Sequence, residues 1–183
     1  MNEIQQARYD RVFDAYAIDG YLSKEGFDRH TRILAELQGR PADAEPIAAL
    51  RAELFLIWGQ LAPMADTDND GRITRHEWRA AAQGLTASLQ QAQKQGMPWP
   101  FDHWVQVLYG AIDGNDDGSV TKEEYRQWLD ALGLADDTDL DSAFAGFDTN
   151  EDGTLSMDEF VNLYHQYWSE FDASVPGHRW IGP

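Results

Sequence analysis

Three stretches, DTDNDGRITRHE from Asp66 to Glu77, DGNDDGSVTKEE from Asp113 to Glu124 and DTNEDGTLSMDE from Asp148 to Glu159, follow one twelve-residue template. Each has Asp first, Asp or Asn third, Asp fifth, Gly sixth, an apolar residue eighth and Glu twelfth. Spacing two apart turns alternate side chains onto one centre, and the glycine permits the sharp bend that curls the chain around it. A single aspartate-rich turn is often only a solvated acidic loop. Three in register, with the same glycine, apolar eighth residue and terminal glutamate, form a motif.

The donor atoms are all hard oxygens, and a bidentate glutamate at the twelfth position expands the shell beyond six, which suits calcium and fits magnesium poorly. The expected ligands of the first stretch are Asp66, Asp68, Asp70, the carbonyl of Arg72, Thr74 directly or through water, and Glu77. Those of the second are Asp113, Asn115, Asp117, the carbonyl of Ser119, Thr121 and Glu124. The third offers Asp148, Asn150, Asp152, the carbonyl of Thr154, Ser156 and Glu159. Without a cation each loop would hold its carboxylates in mutual repulsion. Three calcium ions are expected.

Composition agrees. The 183 residues carry 32 acidic against 14 basic side chains, a formal charge of -18. That balance disfavours nucleic acid and anionic membrane and suits cations. With no cysteine, disulfides, zinc-thiolate sites and thiol catalysis are excluded. The N-terminal MNEIQQARYD lacks the basic start and apolar run of a secretory signal, and the expectation is a cytoplasmic monomer with no membrane span. The most apolar segment, Ile47 to Met64, carries Arg51 and Glu53 and reads as an amphipathic helix.

Apolar residues at helical spacing flank every loop, so each is expected between two helices. Phe101, Trp104, Val105, Leu108 and Ile112 lead into Asp113, and Tyr125, Trp128, Leu129 and Leu132 lead out. Leu140, Phe144 and Phe147 enter the last loop, with Thr138 and Asp141 spaced as a capping box, and Phe160, Leu163, Tyr164 and Tyr167 leave it. Gly133 is expected to end the preceding helix and Pro63 to kink the helix before Asp66.

Such loops pair through their eighth residues, so three imply a fourth, and FDAYAIDGYLSKEGF around Gly20 supplies it. With Gly20 sixth, Ala15 and Ala17 stand first and third and Gly26 twelfth; a rival register from Asp14 to Glu25 puts Tyr16 and Ile18 at ligand positions. Neither makes a site, and this copy is expected to be a structural partner without an ion. The chain divides into an N-terminal pair over 1–92, a C-terminal pair over 101–168 and a tail over 169–183. The tail, with Phe171, Trp180 and Ile181 after a Pro-Gly break, either frays or folds back into a groove.

With these loops and flanking helices, the chain resembles the four-EF-hand superfamily, and within it the bacterial calerythrin-type proteins related to sarcoplasmic calcium-binding proteins. The resemblance implies an all-α fold, with four helix-loop-helix units in two pairs, short antiparallel β bridges between paired loops, and one silent hand. It also implies a cytosolic calcium buffer or carrier. Calerythrin-type proteins usually have a silent second hand, whereas here the first is spoiled. A sensor that captures an unidentified target protein is the alternative. Four methionines are few for the pliable groove such a sensor uses. No enzyme is indicated, because His30, His76, His103, His165 and His178 show neither ligand spacing nor a catalytic constellation.

Overall fold

Every template loop ends in a helix start. Thr74, Thr121 and Ser156 each accept from the backbone N–H three residues on, and the glutamate there reaches back to the N–H of the cap. These reciprocal capping boxes fix where the exit helices begin. They are written in the sequence as TRHE, TKEE and SMDE, inside the loops themselves.

The structure is a computed structural model that describes residues 2–97, 101–135 and 139–181. Its elements run α1 (Glu3–Tyr16), β1 (Tyr21–Leu22), α2 (Lys24–Leu37), α3 (Glu45–Ala65), β2 (Ile73–Thr74), α4 (Arg75–Lys94), α5 (Asp102–Ile112), β3 (Val120–Thr121), α6 (Lys122–Ala131), α7 (Leu140–Phe147), β4 (Thr154–Leu155), α8 (Met157–Ser169) and a 3-10 turn (Pro176–Arg179). This is the all-α arrangement of four helix-loop-helix units that the repeats imply. β1 pairs antiparallel with β2, Leu22 opposite Ile73, and β3 with β4, Val120 opposite Leu155. All four of these apolar residues are buried. They anchor the loops to the core from beneath.

The two halves share that core. α2 packs on α3 and α6, α3 on α5, and α4 and α5 both on α8. α1 docks on α4 through Arg79, whose guanidinium holds Asp10 at 2.6 and 2.7 Å, and through Arg75, which pairs with Asp14. Tyr9 packs on Trp168, and the Tyr167 hydroxyl donates to the Arg8 carbonyl at 2.8 Å. These contacts tie the first helix to the last.

α3 has the length and hydropathy of a membrane-crossing helix. Its inner face nevertheless buries Ile47, Leu50 and Leu54, and Arg51 ion-pairs with Asp28 of α2. The helix runs through Pro63 to Ala65, and Asp66 closes its last turn with an N–H to the Ala62 carbonyl at 2.9 Å. Gly133 ends α6 as its position suggested, with the Leu134 N–H returning to the Leu129 carbonyl. α7 is capped by Asp139, whose carboxylate accepts from Ser142, in place of the Thr138–Asp141 box; Thr138 lies outside the described residues.

After α8 the chain turns back. Arg8, itself buried, donates to the carbonyls of Gln166 and Tyr167, and Gln166 accepts from the Gly177 N–H at 2.8 Å. Trp180, only 4% exposed, seats its ring among Trp128, Phe160, Tyr164 and Tyr167 at centroid distances of 5.2–5.8 Å. Its carbonyl accepts from the Tyr125 hydroxyl. Arg11 holds the Ile181 carbonyl at 3.0 Å.

Candidate metal centre

The three loops repeat one hydrogen-bonded scaffold. In each, the first aspartate accepts from the N–H of the sixth-position glycine, Gly71 to Asp66 at 2.9 Å, Gly118 to Asp113 at 2.9 Å and Gly153 to Asp148 at 2.8 Å. The fifth-position N–H donates to the side chains at positions one and three, from Asp70, Asp117 and Asp152 alike. Asp70, Asp117 and Asp152 in turn accept from the seventh-position N–H. Carboxylate oxygens of Asp66, Asp68 and Asp70 thereby come within 4.8 Å of one another. Like charges do not gather so closely unless a donor network or a cation offsets them.

The terminal glutamates close the ring. Glu77 accepts at one oxygen from the Thr67 N–H and hydroxyl and at the other from the Thr74 N–H and hydroxyl, at 2.7–2.9 Å. Glu159 does the same with Thr149 and Ser156, and Glu124 with the Gly114 N–H and Thr121. Both oxygens thus face the loop. The bonds from Thr67 and Thr74 hold the Glu77 carboxyl down to about 2. Glu159 is also held down to about 2, where partial burial opposes the shift and bonds from Ser156 and Thr149 outweigh it. Asp117 is lowered by the Ser119 hydroxyl and the Asn115 amide, and Asp152 by the Thr154 N–H and hydroxyl. Asp68 moves the other way. The Asp70 N–H lowers it, but desolvation and the carboxylates of Asp70 and Glu77 prevail.

These positions offer oxygen donors, most of them carboxylates, in a loop whose backbone already bends around them. That donor set fits calcium. In all three loops the side chains at positions one, three and five share the N–H groups of the bend, and the glutamate at position twelve is turned back onto the N–H groups at positions two and nine. Position nine also serves the helix that follows, since Thr74, Thr121 and Ser156 cap the exit helices and donate to the glutamates. Arg72, Ser119 and Thr154 stand at position seven, where only their carbonyls are candidate donors.

Several supporting residues escape the twelve-residue template. Tyr109 of α5 donates its hydroxyl between two loops, to the Gly118 carbonyl at 3.0 Å and to the Leu155 carbonyl at 2.8 Å. Thr149 holds Glu159 from position two as Thr67 holds Glu77. Gln38, just past α2, donates to the carbonyls of Ala111 and Ile112 at the mouth of the Asp113 loop, and Arg40 pairs with Asp116 inside it at 2.8 Å. Only the threonines carry a sequence signal, an oxygen at position two. The other contacts come from packing between distant segments.

The copy around Gly20 is built differently. Ile18 and Tyr21 exchange both backbone hydrogen bonds, at 2.9 and 3.0 Å, and Asp19 and Gly20 between them have φ of 52° and 84°. Two positive φ values in a two-residue connection make a type I′ turn, for which Asp-Gly is a preferred pair. The intact loops place positive φ at the fourth and sixth positions instead. Measured from helix end to exit-helix cap, Ala17 to Ser23 is two residues shorter than Asp66 to Thr74. Neither twelve-residue register therefore describes this segment. The rival one fails because Asp14 lies within α1, paired with Arg75. Gly26 occupies the place of the terminal glutamate, and a Cβ there would lie 2.0 Å from the Tyr16 carbonyl oxygen. Backbone fills the space that a chelating side chain would need.

Comparison with known proteins points the same way. Family models for an EF-hand domain pair and for an EF hand match residues 101–165 and 64–81. The sequence is 27% identical over 177 residues to calerythrin from Saccharopolyspora erythraea, covering 95% of this chain and 98% of that one. It is 30% identical over 178 residues to the sarcoplasmic calcium-binding protein alpha chain of Penaeus vannamei, covering 92% and 89%. A solved calcium-binding protein of Streptomyces coelicolor, described in terms of calcium-mediated regulation, superposes with a TM-score of 0.67 at 24% identity, over 92% of this chain and 99% of that one. With its paired loops, capping boxes and full-length relatives, the chain belongs to the calcium-binding EF-hand proteins of the sarcoplasmic calcium-binding protein and calerythrin family, which are binding proteins rather than enzymes.

Proposed function

We propose that the chain binds three calcium ions, at Asp66–Glu77, Asp113–Glu124 and Asp148–Glu159, and acts as a monomeric cytoplasmic calcium buffer. The observation that carries this reading is the threefold repetition of one oxygen-lined scaffold with its terminal glutamate turned inward. The hand around Gly20 is left without an ion, since its turn is two residues short and the Tyr16 carbonyl occupies the glutamate's place. The ligands are positions one, three, five, seven, nine and twelve of each loop. Position nine contributes through water, because its hydroxyl is already committed to the cap and the glutamate.

Buffering is favoured over sensing by the packing. A sensor opens an apolar groove on binding, whereas here the face between α6, α7 and α8 is covered by the chain's own Trp180. Met64 and Met97 lie exposed at the surface. The rival reading, a regulator of a partner protein, draws on the description of the Streptomyces neighbour. A calcium titration followed with a hydrophobic dye separates the two. A buffer loses dye as it fills and takes up three ions by calorimetry; a gain in dye binding on filling rules buffering out.

A further inference from the structure

Tyr109, 4% exposed, stands in the last turn of α5 with its ring edge-on to Phe160 of α8 at 5.5 Å. Its carbonyl accepts from the Asp113 N–H at 2.9 Å, which closes the helix at the first ligand position. Its hydroxyl lies within donating distance of two carbonyls from different loops, Gly118 at 3.0 Å and Leu155 at 2.8 Å. A hydroxyl carries one proton. The two loops therefore share a single donor.

Each of those carbonyls belongs to a peptide unit whose N–H holds a candidate calcium ligand. The unit of Gly118 and Ser119 donates from Ser119 to Asp117 at 2.9 Å. The unit of Leu155 and Ser156 donates from Ser156 to Glu159 at 2.9 Å. Because a peptide unit is planar, its C=O cannot tilt without moving its N–H. A continuous path thus runs from the Asp117 carboxylate through one peptide plane, the Tyr109 hydroxyl and a second peptide plane to the Glu159 carboxylate. Bonds linked in this way also polarise one another.

The path has no counterpart at the equivalent place in the other hands. The N–H groups of Ala17, Asp66 and Asp148 close their entering helices on Phe13, Ala62 and Phe144, as that of Asp113 does on Tyr109. None of those three residues has a hydroxyl.

We infer that Tyr109 is the positioning residue that couples the Asp113 and Asp148 loops, so that filling either one tightens the other. An ion at the Asp113 loop fixes Asp117 and its peptide plane, the plane fixes the hydroxyl, and the hydroxyl fixes the plane that holds Glu159. The second ion then has less disorder to remove. The inference rests on the three-ion reading above.

The test uses the full chain and calcium alone. Calorimetry on the unaltered chain is expected to show that filling one C-terminal loop tightens the other by about tenfold. Tyr109→Phe keeps the ring on Phe160 and is expected to lower that factor about fivefold, with the Asp66 loop at its original affinity. Asp148→Ala, which disables the neighbouring loop, separates coupling from simple support. Tyr109→Phe should weaken the Asp113 loop about fivefold more where the neighbour can fill than where it cannot. In nitrogen-proton spectra of Asp148→Ala, the Ser156 amide is expected to shift as the Asp113 loop fills, and to stop doing so once Tyr109→Phe is added. Should Asp148→Ala fail to fold, the stepwise constants of Tyr109→Phe decide alone. An unchanged coupling factor in Tyr109→Phe, equal weakening with and without Asp148, or independent C-terminal sites in the unaltered chain would overturn the inference while leaving three ions bound. Failure of the unaltered chain to take up both C-terminal ions would overturn the three-ion reading as well.

Discussion

Gln38, one residue past the end of α2, donates its side-chain amide to the carbonyl oxygen of Ala111 at 2.9 Å, one residue before the end of α5. A residue of the hand without its own site thus caps the helix that delivers Asp113 to another. Gln38→Ala should remove this bond and its companion to Ile112, at a cost of about 1 kcal/mol. The expected result is calcium affinity at the Asp113 loop lowered about fivefold. The amide signal of Gly118, followed through a titration against those of Gly71 and Gly153, reports it. Three unchanged midpoints would show that the contact is only structural.

Gly26 has no room for a side chain. Gly26→Ala should destabilise the protein by about 2–4 kcal/mol by forcing Tyr16 away from α2, measured by urea unfolding. Gly26→Glu, which restores the template residue, should be at least as unstable and should add no fourth ion by calorimetry. A fourth ion would mean that the Asp19–Gly20 turn opens readily.

Truncation after Asp172 removes Trp180 and uncovers Trp128, Phe160, Tyr164 and Tyr167. The melting temperature should fall and dye binding should rise. Trp180→Ala alone should cost about 3–5 kcal/mol, the usual range for emptying a buried aromatic site. No change in either dye binding or melting would show that the seat of Trp180 contributes nothing.

His30 supplies a pH dependence. Buried in α2 with its ring edge-on to Tyr16 at 5.2 Å, it is lowered to about 4 by burial, with the charge of Arg29 adding to the effect. The unfolded chain takes up this proton near pH 6.5, whereas the folded chain resists it down to about 4. Between those values the unfolded state binds more protons, so stability is full above about 6.5 and falls as the pH drops, by about 3 kcal/mol at most. His30→Phe should flatten that part of the profile relative to the unaltered chain. Parallel profiles would remove His30 as a cause.

Glu124→Gln should abolish binding at its own loop and weaken the Asp148 loop, to which β3 and the Tyr109 hydroxyl connect it. Glu77→Gln should leave both of those loops near their original affinity. Each filled site should raise stability by about 2.7 kcal/mol at a hundredfold excess over its dissociation constant, so chelator should lower the melting point steeply. Titrations of the two variants, compared ion by ion, check the asymmetry.

Much of this architecture is legible in the sequence because the loops repeat a strict spacing, and the helices around them carry apolar stripes. Leu22, Ile73, Val120 and Leu155 can be paired across strands from their positions alone. The shortened first hand is not legible in that way. A template of fixed length hides a two-residue deletion, and the signal that reveals it is the Asp-Gly pair between Ile18 and Tyr21. Gln38 and Arg40 are equally hidden, since nothing local to a linker tells where folding will carry its polar groups. Asp139 caps α7 where Thr138, one residue earlier, fits the spacing of a capping box, because both residue types cap well and spacing alone does not choose between them.

The type I′ turn at Asp19–Gly20 also fixes how the filling of the protein is counted. It holds β1 in place by covalent geometry and two backbone bonds, whatever the calcium concentration, so the strand opposite Ile73 is a constant rather than a variable. Occupancy of the Asp66 loop should then trace a simple hyperbola. The other two loops face one another across β3 and β4, each able to change the other's order, and their curve is free to steepen. A chain descended from four like repeats would thereby titrate as one plus two.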